Sequence, residues 1–147
     1  MSSLSIDFVL AISILNFSSC GGKVDKECAF CRILADDAEK QIIFKLRNFF
    51  VMFARPITRE GHMLIIPFRH VDNIFGLNKS EWEEVPIILE GCRFIGEEYG
   101  AKDYNIIANC GEAAAQTVMH AHFHVILRFP DDKPIFFFEE KLRGLSK

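Results

Sequence analysis

The run H120-A-H-F-H-V-I-L127 sets a histidine at every second position and apolar residues between them. Successive side chains of a strand point to opposite faces, so this pattern suits an extended segment and little else. On such a segment His120, His122 and His124 line one face at intervals of roughly 6 to 7 Å, while Ala121, Phe123 and Val125 enter a core. The pattern predicts a strand over 118–129, stopped by Pro130. The chain has five histidines, and three of them fall here, where each ring shifts the titration of the next. Two chemistries fit such a face: a shared metal ion, or a nucleophilic histidine oriented by its neighbours.

Elsewhere, segments 41–45, 49–53 and 63–67 are short, apolar and rich in strand formers, with turn material at 47–48 and 58–61. They read as an antiparallel meander. Asn78 followed by Glu81 is a variant capping box that opens a helix closed by Gly100. Trp82, Val85, Leu89, Cys92, Ile95 and Tyr99 recur at helical spacing and form its expected buried face. Pro86 predicts a kink or a late start. A strand over 104–109 and a small-residue loop over 110–116 lead to the histidine run.

At 147 residues the chain has the size of one domain. Seventeen Lys and Arg against twenty Asp and Glu leave no broad basic face, which argues against nucleic acid as a partner. Five cysteines are an odd count in a chain too large to need a disulfide framework, and they favour a reducing compartment. Only Cys28 and Cys31 have a telling spacing: half of a zinc site, a redox pair or a disulfide. F8-V-L-A-I-S-I-L15 and F17-S-S-C20 look like an export signal with a lipoprotein box, yet no Lys or Arg precedes them and Asp7 does. The run falls short of the roughly 20 apolar residues of a membrane span. Residues 1–27 are therefore read as an N-terminal extension, 28–147 as a single domain and the location as cytoplasmic, with export as the alternative.

The longer run Q116-T-V-M-H-A-H-F-H-V-I126 resembles the signature of the histidine triad (HIT) family of nucleotide hydrolases and transferases. The resemblance extends to C28-A-F-C-R-I33, to R59-E-G-H-M-L-I-I-P-F-R-H70 and to Asn109. It implies an α+β fold: a five-stranded antiparallel sheet with a long helix, a short N-terminal helix and a homodimer, for which Trp82 and 135–138 are candidate partner-facing surface. It also implies that His122 attacks an α-phosphorus to give a covalent nucleotidyl-histidine that water hydrolyses. His124 and Thr117 would steady the phosphate and protonate the leaving group, with Gln116 and loop amides facing the oxygens. An ordinary strand-edge hydroxyl is the alternative for Thr117. By the same resemblance Asn109, Phe30, Ile33 and Phe53 contact substrate, the last three walling the base; each aromatic or aliphatic one could equally be core.

In the zinc-containing branch of that family, a cysteine pair is completed by a histidine after the central strand and by the first histidine of the triad. Here Cys28, Cys31, His70 and His120 fill those positions and imply a closed structural Zn2+ site, leaving the chemistry to His122. His62 either reaches the triad or is a buried, hydrogen-bonded histidine.

Two positions depart from the family pattern. Where an Asp or Asn often holds the ribose hydroxyls, this chain has Ala54, or Phe53 if the turn carries one extra residue; where Gly precedes the Gln, it has Ala115. The expected activity is cleavage of a dinucleoside polyphosphate or a nucleotide phosphoramidate. The alternatives are a zinc-stabilised nucleotide-binding module with little catalysis and, ranked behind it, a metallohydrolase using all three triad histidines.

Overall fold

The computed structural model describes residues 25–35, 41–55 and 61–133. A short helix α1 (Ala29–Ala35) precedes strands β1 (Ile42–Lys45), β2 (Phe49–Phe53) and β3 (Met63–Pro67). Helix α2 (Lys79–Glu98), β4 (Asp103–Ile107) and β5 (Phe123–Arg128) follow. The strands form one antiparallel sheet in the order β1-β2-β3-β5-β4, so the last strand inserts beside the central one. This is the α+β architecture expected of the sequence.

The strands β2 and β3 read FFVMF and MLIIP because both of their faces are covered. On one face Phe49, Val51, Met63, Ile65, Phe123, Val125 and Leu127 pack with Val85, Ile88 and Cys92 of α2. On the other, Phe50, Met52, Ala54, Leu64 and Ile66 pack with Cys28, Phe30 and Cys31 around α1. Burying one such large side chain stabilises the fold by about 1.5 to 3 kcal/mol. Leu64 pairs with His124 and so points to the same face, which makes the α1 side the histidine side of the sheet.

The capping box at the start of α2 is complete. The Asn78 side chain accepts from the Glu81 N–H, and Glu81 accepts from the Asn78 N–H. Glu81 is buried and also takes a paired hydrogen bond from Arg69 at 3.0 and 2.7 Å, which joins the helix start to the chain leaving β3. Pro86 does not delay the helix: the ring sits on an exposed stretch, where water can satisfy the carbonyl that loses its partner.

Three expectations need correction. The buried face of α2 is Val85, Ile88, Gly91, Cys92 and Gly96, flanked by Leu89 and Ile95, whereas Trp82 and Tyr99 are 41% and 43% exposed. The two glycines set that rotation. A Cβ would meet the Phe44 ring at 2.7 Å from Gly91 and the Tyr104 ring at 2.6 Å from Gly96, so the helix lies closest to the sheet along that stripe. The fourth strand covers Asp103–Ile107 rather than 104–109, because Asn109 already belongs to the loop.

The histidine strand begins only at Phe123, leaving His120 and His122 ahead of it. Ladder bonds stop there because other partners take the backbone: the Ala121 N–H goes to the Val71 carbonyl at 2.6 Å, and the His120 carbonyl goes to a side chain. The alternation nevertheless holds, with Ala121, Phe123 and Val125 all in the core. Among the described residues no helix is long and apolar enough to cross a membrane. The extension before residue 25 and the run 135–138 lie outside the described residues.

Candidate active site and metal cluster

His122 is 4% exposed, and its Nδ1 lies 2.8 Å from the carbonyl oxygen of His120. A carbonyl can only accept, so Nδ1 carries the proton and a neutral ring presents a free lone pair at Nε2. Burial lowers the His122 pKa from its ordinary value, which keeps the ring neutral near pH 7. The ring edges are fixed by Phe30 at 5.2 Å between centroids and by His124 at 4.8 Å, both near perpendicular. The result is an imidazole held in one tautomer by a short main-chain contact.

His124 pairs in turn with His62, at 3.0 Å between its Nδ1 and the Nε2 of His62. Burial pushes His124 down to about 4, with the charges of His122 and His62 adding to it. Burial, then His122, also lowers His62. One of these two rings therefore donates to the other as a neutral imidazole. Of the two readings of His62, the structure selects contact with the triad, and it does so through the β2–β3 register that sets Phe53 opposite Met63 and the Ala54 N–H on the His62 carbonyl.

Cys28, Cys31, His70 and His120 bring one ligand atom each to within 4.8 Å of all the others. The Cys28 sulfur lies 3.3 Å from Nδ1 of His120, and the Cys31 sulfur lies 3.4 Å from Nδ1 of His70 and 3.7 Å from Nδ1 of His120. Bonds of about 2.3 Å to sulfur and about 2.0 Å to nitrogen at tetrahedral angles require sulfur–nitrogen edges of about 3.5 Å, so the cluster has the size of a tetrahedral metal site. Tautomers agree with it. Nε2 of His120 lies 2.9 Å from the Pro67 carbonyl and donates to it, which turns an unprotonated Nδ1 toward the sulfurs. Burial pushes His120 down to about 4 and raises the Cys31 thiol, a cost that a bound cation reverses by holding the thiolate. The four residues lie close enough to hold a metal ion, and no other group of that kind occurs among the described residues.

Of the remaining candidates, Phe30 and Ile33 lie on the histidine side, and Phe30 touches the rings of both His120 and His122. Phe53 does not join them. Strand parity sends it to the α2 side, where its ring meets Tyr99 at 6.0 Å, so it cannot share a wall with Phe30 and Ile33. Of the two residues offered for the position where relatives often carry an Asp or Asn, parity turns Ala54, not Phe53, to the histidine side. Thr117 is exposed and lines a groove of about 300 Å³ with Cys28, His70 and Met119. The Asn109 amide turns into the loop, toward the Ala115 carbonyl at 3.5 Å. The Gln116 carboxamide is bonded to main chain on every side rather than presented to an open site.

The α+β fold thus sets main-chain-oriented histidines beside a cluster of four residues close enough to hold a metal ion. Residues 35–131 match the family described as the HIT domain. The chain is 31% identical to the Protein hit of Bacillus subtilis over 108 residues, covering 71% of this chain and 72% of that one. It is 29% identical to the adenosine 5'-monophosphoramidase of Schizosaccharomyces pombe over 100 residues, 67% of this chain and 72% of that one. Its fold superposes on a HIT family hydrolase from Clostridium thermocellum with a TM-score of 0.64 at 28% identity, over 76% of this chain and 99% of that one. The chain belongs to the HIT family.

Proposed function

We propose that this protein is a nucleotidyl hydrolase or transferase that cleaves a nucleoside 5'-phosphate derivative through a covalent nucleotidyl-His122. The observation that carries the reading is the 2.8 Å contact between Nδ1 of His122 and the His120 carbonyl, which leaves Nε2 free to attack. The Nε2 lone pair forms a bond to the α-phosphorus as the bond to the leaving group breaks. The ring then carries a positive charge that Nδ1–H shares with the His120 carbonyl. The departing atom takes its proton from solvent water, with neutral His124, one ring away and backed by His62, placed to hydrogen-bond that proton donor, and Thr117 binds a phosphate oxygen. Water next attacks the same phosphorus and releases a proton to solvent, the bond to Nε2 breaks and returns its electron pair to the now neutral ring, and a nucleoside 5'-monophosphate leaves.

Among the candidate leaving groups an amine is favoured over a polyphosphate, because relatives from two yeasts are named adenosine 5'-monophosphoramidase. Phe30 and Ile33 wall the base, and Asn109 with the loop amides borders the phosphate. The unit that does this is 28–147, with 1–27 as an extension. Zn2+ in the Cys28, Cys31, His70 and His120 cluster is structural: four protein ligands leave no place for a water, so it acts by fixing His120. Cysteines used as ligands suit the reducing cytoplasm. An intact mass that lacked the first residues or carried a lipid would contradict that location.

Incubation with adenosine 5'-phosphoramidate, quenched and read by intact mass, is expected to yield one adenylyl adduct on the chain. Nucleotide bound without adduct or product would instead favour the rival binding module, to which Ala54 and the strained Ala115 lend weight.

Ala54 offers no acceptor to a ribose hydroxyl. Substrates with ribose and 2'-deoxyribose are therefore expected to differ little in kcat/KM, while Ala54→Asp raises the preference for ribose by roughly tenfold, the equivalent of about 1.4 kcal/mol for a charged acceptor. An unchanged ratio would place the ribose elsewhere.

A homodimer completes the reading. Phe75, Trp82, Ile87 and Ile106 are large apolar side chains left 80%, 41%, 52% and 53% exposed, which a second copy would cover. Light scattering after size exclusion is expected to give twice the chain mass of 16.8 kDa; a single-chain mass at micromolar concentration would refute the dimer.

A further inference from the structure

Gln116 is 5% exposed, and its carboxamide reaches three separate segments. Nε2 donates to the carbonyl of Asp72 and, at 2.9 Å, to that of Val118; Oε1 accepts the Gly111 N–H at 2.7 Å. Asp72 lies two residues beyond His70, Val118 lies two before His120, and Gly111 opens the loop between β4 and the histidine run. A glutamine has two N–H donors, and both are engaged here.

The same loop holds Ala115 at φ 62 and ψ 30, the only non-glycine residue with positive φ among those described. An alanine in that region costs about 1 kcal/mol or more, so neighbouring bonds must enforce it. The Gln116 N–H to the Gly111 carbonyl, the Ala115 N–H to the Glu112 carbonyl and the Gln116 side chain do so.

We propose that Gln116 is a positioning residue that couples the metal cluster to the loop presenting Thr117 and the histidine run, without touching substrate. His70 and His120 are joined at their side chains by the ligand cluster and at their backbones by Gln116 and by the Ala121–Val71 bond. The two links brace each other: a turn at 70–72 held by Gln116 keeps His70 at the cluster, and a fixed His70 keeps the Asp72 carbonyl within reach of Gln116. Removing the carboxamide takes the Gln116 donors from the Asp72 and Val118 carbonyls and the acceptor from the Gly111 N–H, which releases the loop and the His70 turn together. The proposal rests on the reading of His122 as nucleophile only for its catalytic consequence, and its primary test measures no nucleotide chemistry.

The test uses the full chain loaded with zinc, as wild type and as Gln116→Met, which keeps the volume and removes every hydrogen bond. Gln116→Glu, which keeps only the acceptor for Gly111, serves if the first variant does not fold. Two readouts are expected to move together: amide exchange over 109–118 speeds up tenfold or more while β2 and β3 keep their protection, and zinc transfer to a chromophoric chelator speeds up about tenfold. A released loop with an unchanged zinc rate overturns the coupling, and wild-type values for both overturn the proposal. In turnover assays kcat falls while KM stays within about twofold; a rise in KM with the loop still protected would mean that Gln116 contacts substrate. An inactive His122 variant with wild-type exchange and zinc release separates this result from the fate of the nucleophile assignment.

Discussion

Replacing His122 with alanine is expected to lower turnover of a nucleoside 5'-phosphoramidate by at least about 10^4-fold, the scale on which loss of a nucleophile acts in covalent hydrolases. The adenylyl adduct should vanish with it. The expectation follows from where the lone pair sits: Nδ1 is occupied by the His120 carbonyl at 2.8 Å, so Nε2 of this ring is the only nitrogen on His122 that can attack. Alanine leaves the buried carbonyl of His120 without that donor, which costs about 1 to 3 kcal/mol of stability, so the folded fraction must be checked by far-ultraviolet circular dichroism before rates are compared. His124→Ala supplies the internal contrast. In the proposed mechanism its ring acts at the leaving group, so the loss should be smaller, about 10^2- to 10^4-fold, and should shrink for substrates whose leaving group needs no proton. Turnover within tenfold of wild type for folded His122→Ala would sink the covalent mechanism.

Much of this arrangement was legible in the sequence because it depends on local period and spacing. The apolar runs FFVMF and MLIIP read as strands of an antiparallel meander, and Asn78 with Glu81 announces the start of α2. The alternation in 120–127 gave the right sidedness to every histidine and core residue, and the ligand set implied by the HIT resemblance does converge. What failed depended on partners distant in the chain. The strand seemed to begin at 118 because nothing local says that the Val71 carbonyl claims the Ala121 N–H. The helix face was misjudged by about one position because hydrophobic period cannot register two glycines that touch Phe44 and Tyr104. For Phe53 the resemblance leaves base wall and core both open, and strand parity, once Phe50 and Met52 are seen against α1, selects the core on the α2 side. The commitment of Gln116 to three carbonyl and amide groups left no trace in the pattern at all.

Cys31→Ser, or removal of the metal by a strong chelator, is expected to lower the midpoint of thermal unfolding by roughly 10 to 20 °C, since several kcal/mol are at stake and about 1 kcal/mol moves a domain of this size by 2 to 4 °C. Cys28 and Cys31 are buried beside Phe30 between α1 and the sheet, so the cluster is the polar heart of the second core and not a surface ornament. Without a cation, two thiols and two imidazoles are left to the weak S–H···N hydrogen bonds that the 3.3 and 3.4 Å contacts allow. Chemistry should suffer along with stability. His120 donates through Nε2 to Pro67, would hold a metal ion through Nδ1, and offers its carbonyl to His122, so a ring released from the cluster would loosen the very oxygen that fixes the tautomer of the proposed nucleophile. Adduct formation at a temperature well below the lowered midpoint is therefore expected to slow by about tenfold or more in the stripped protein, and to recover when one equivalent of zinc per chain is restored. Acid should act in the same direction, because each thiol must lose its proton and each imidazole must stay neutral to bind, so the metal-dependent share of stability is present at neutral pH and fades as pH falls. Metal analysis that found less than a tenth of an equivalent in protein purified without chelator, or a midpoint unmoved by Cys31→Ser, would remove the metal from the account and leave the cluster as a hydrogen-bonded core.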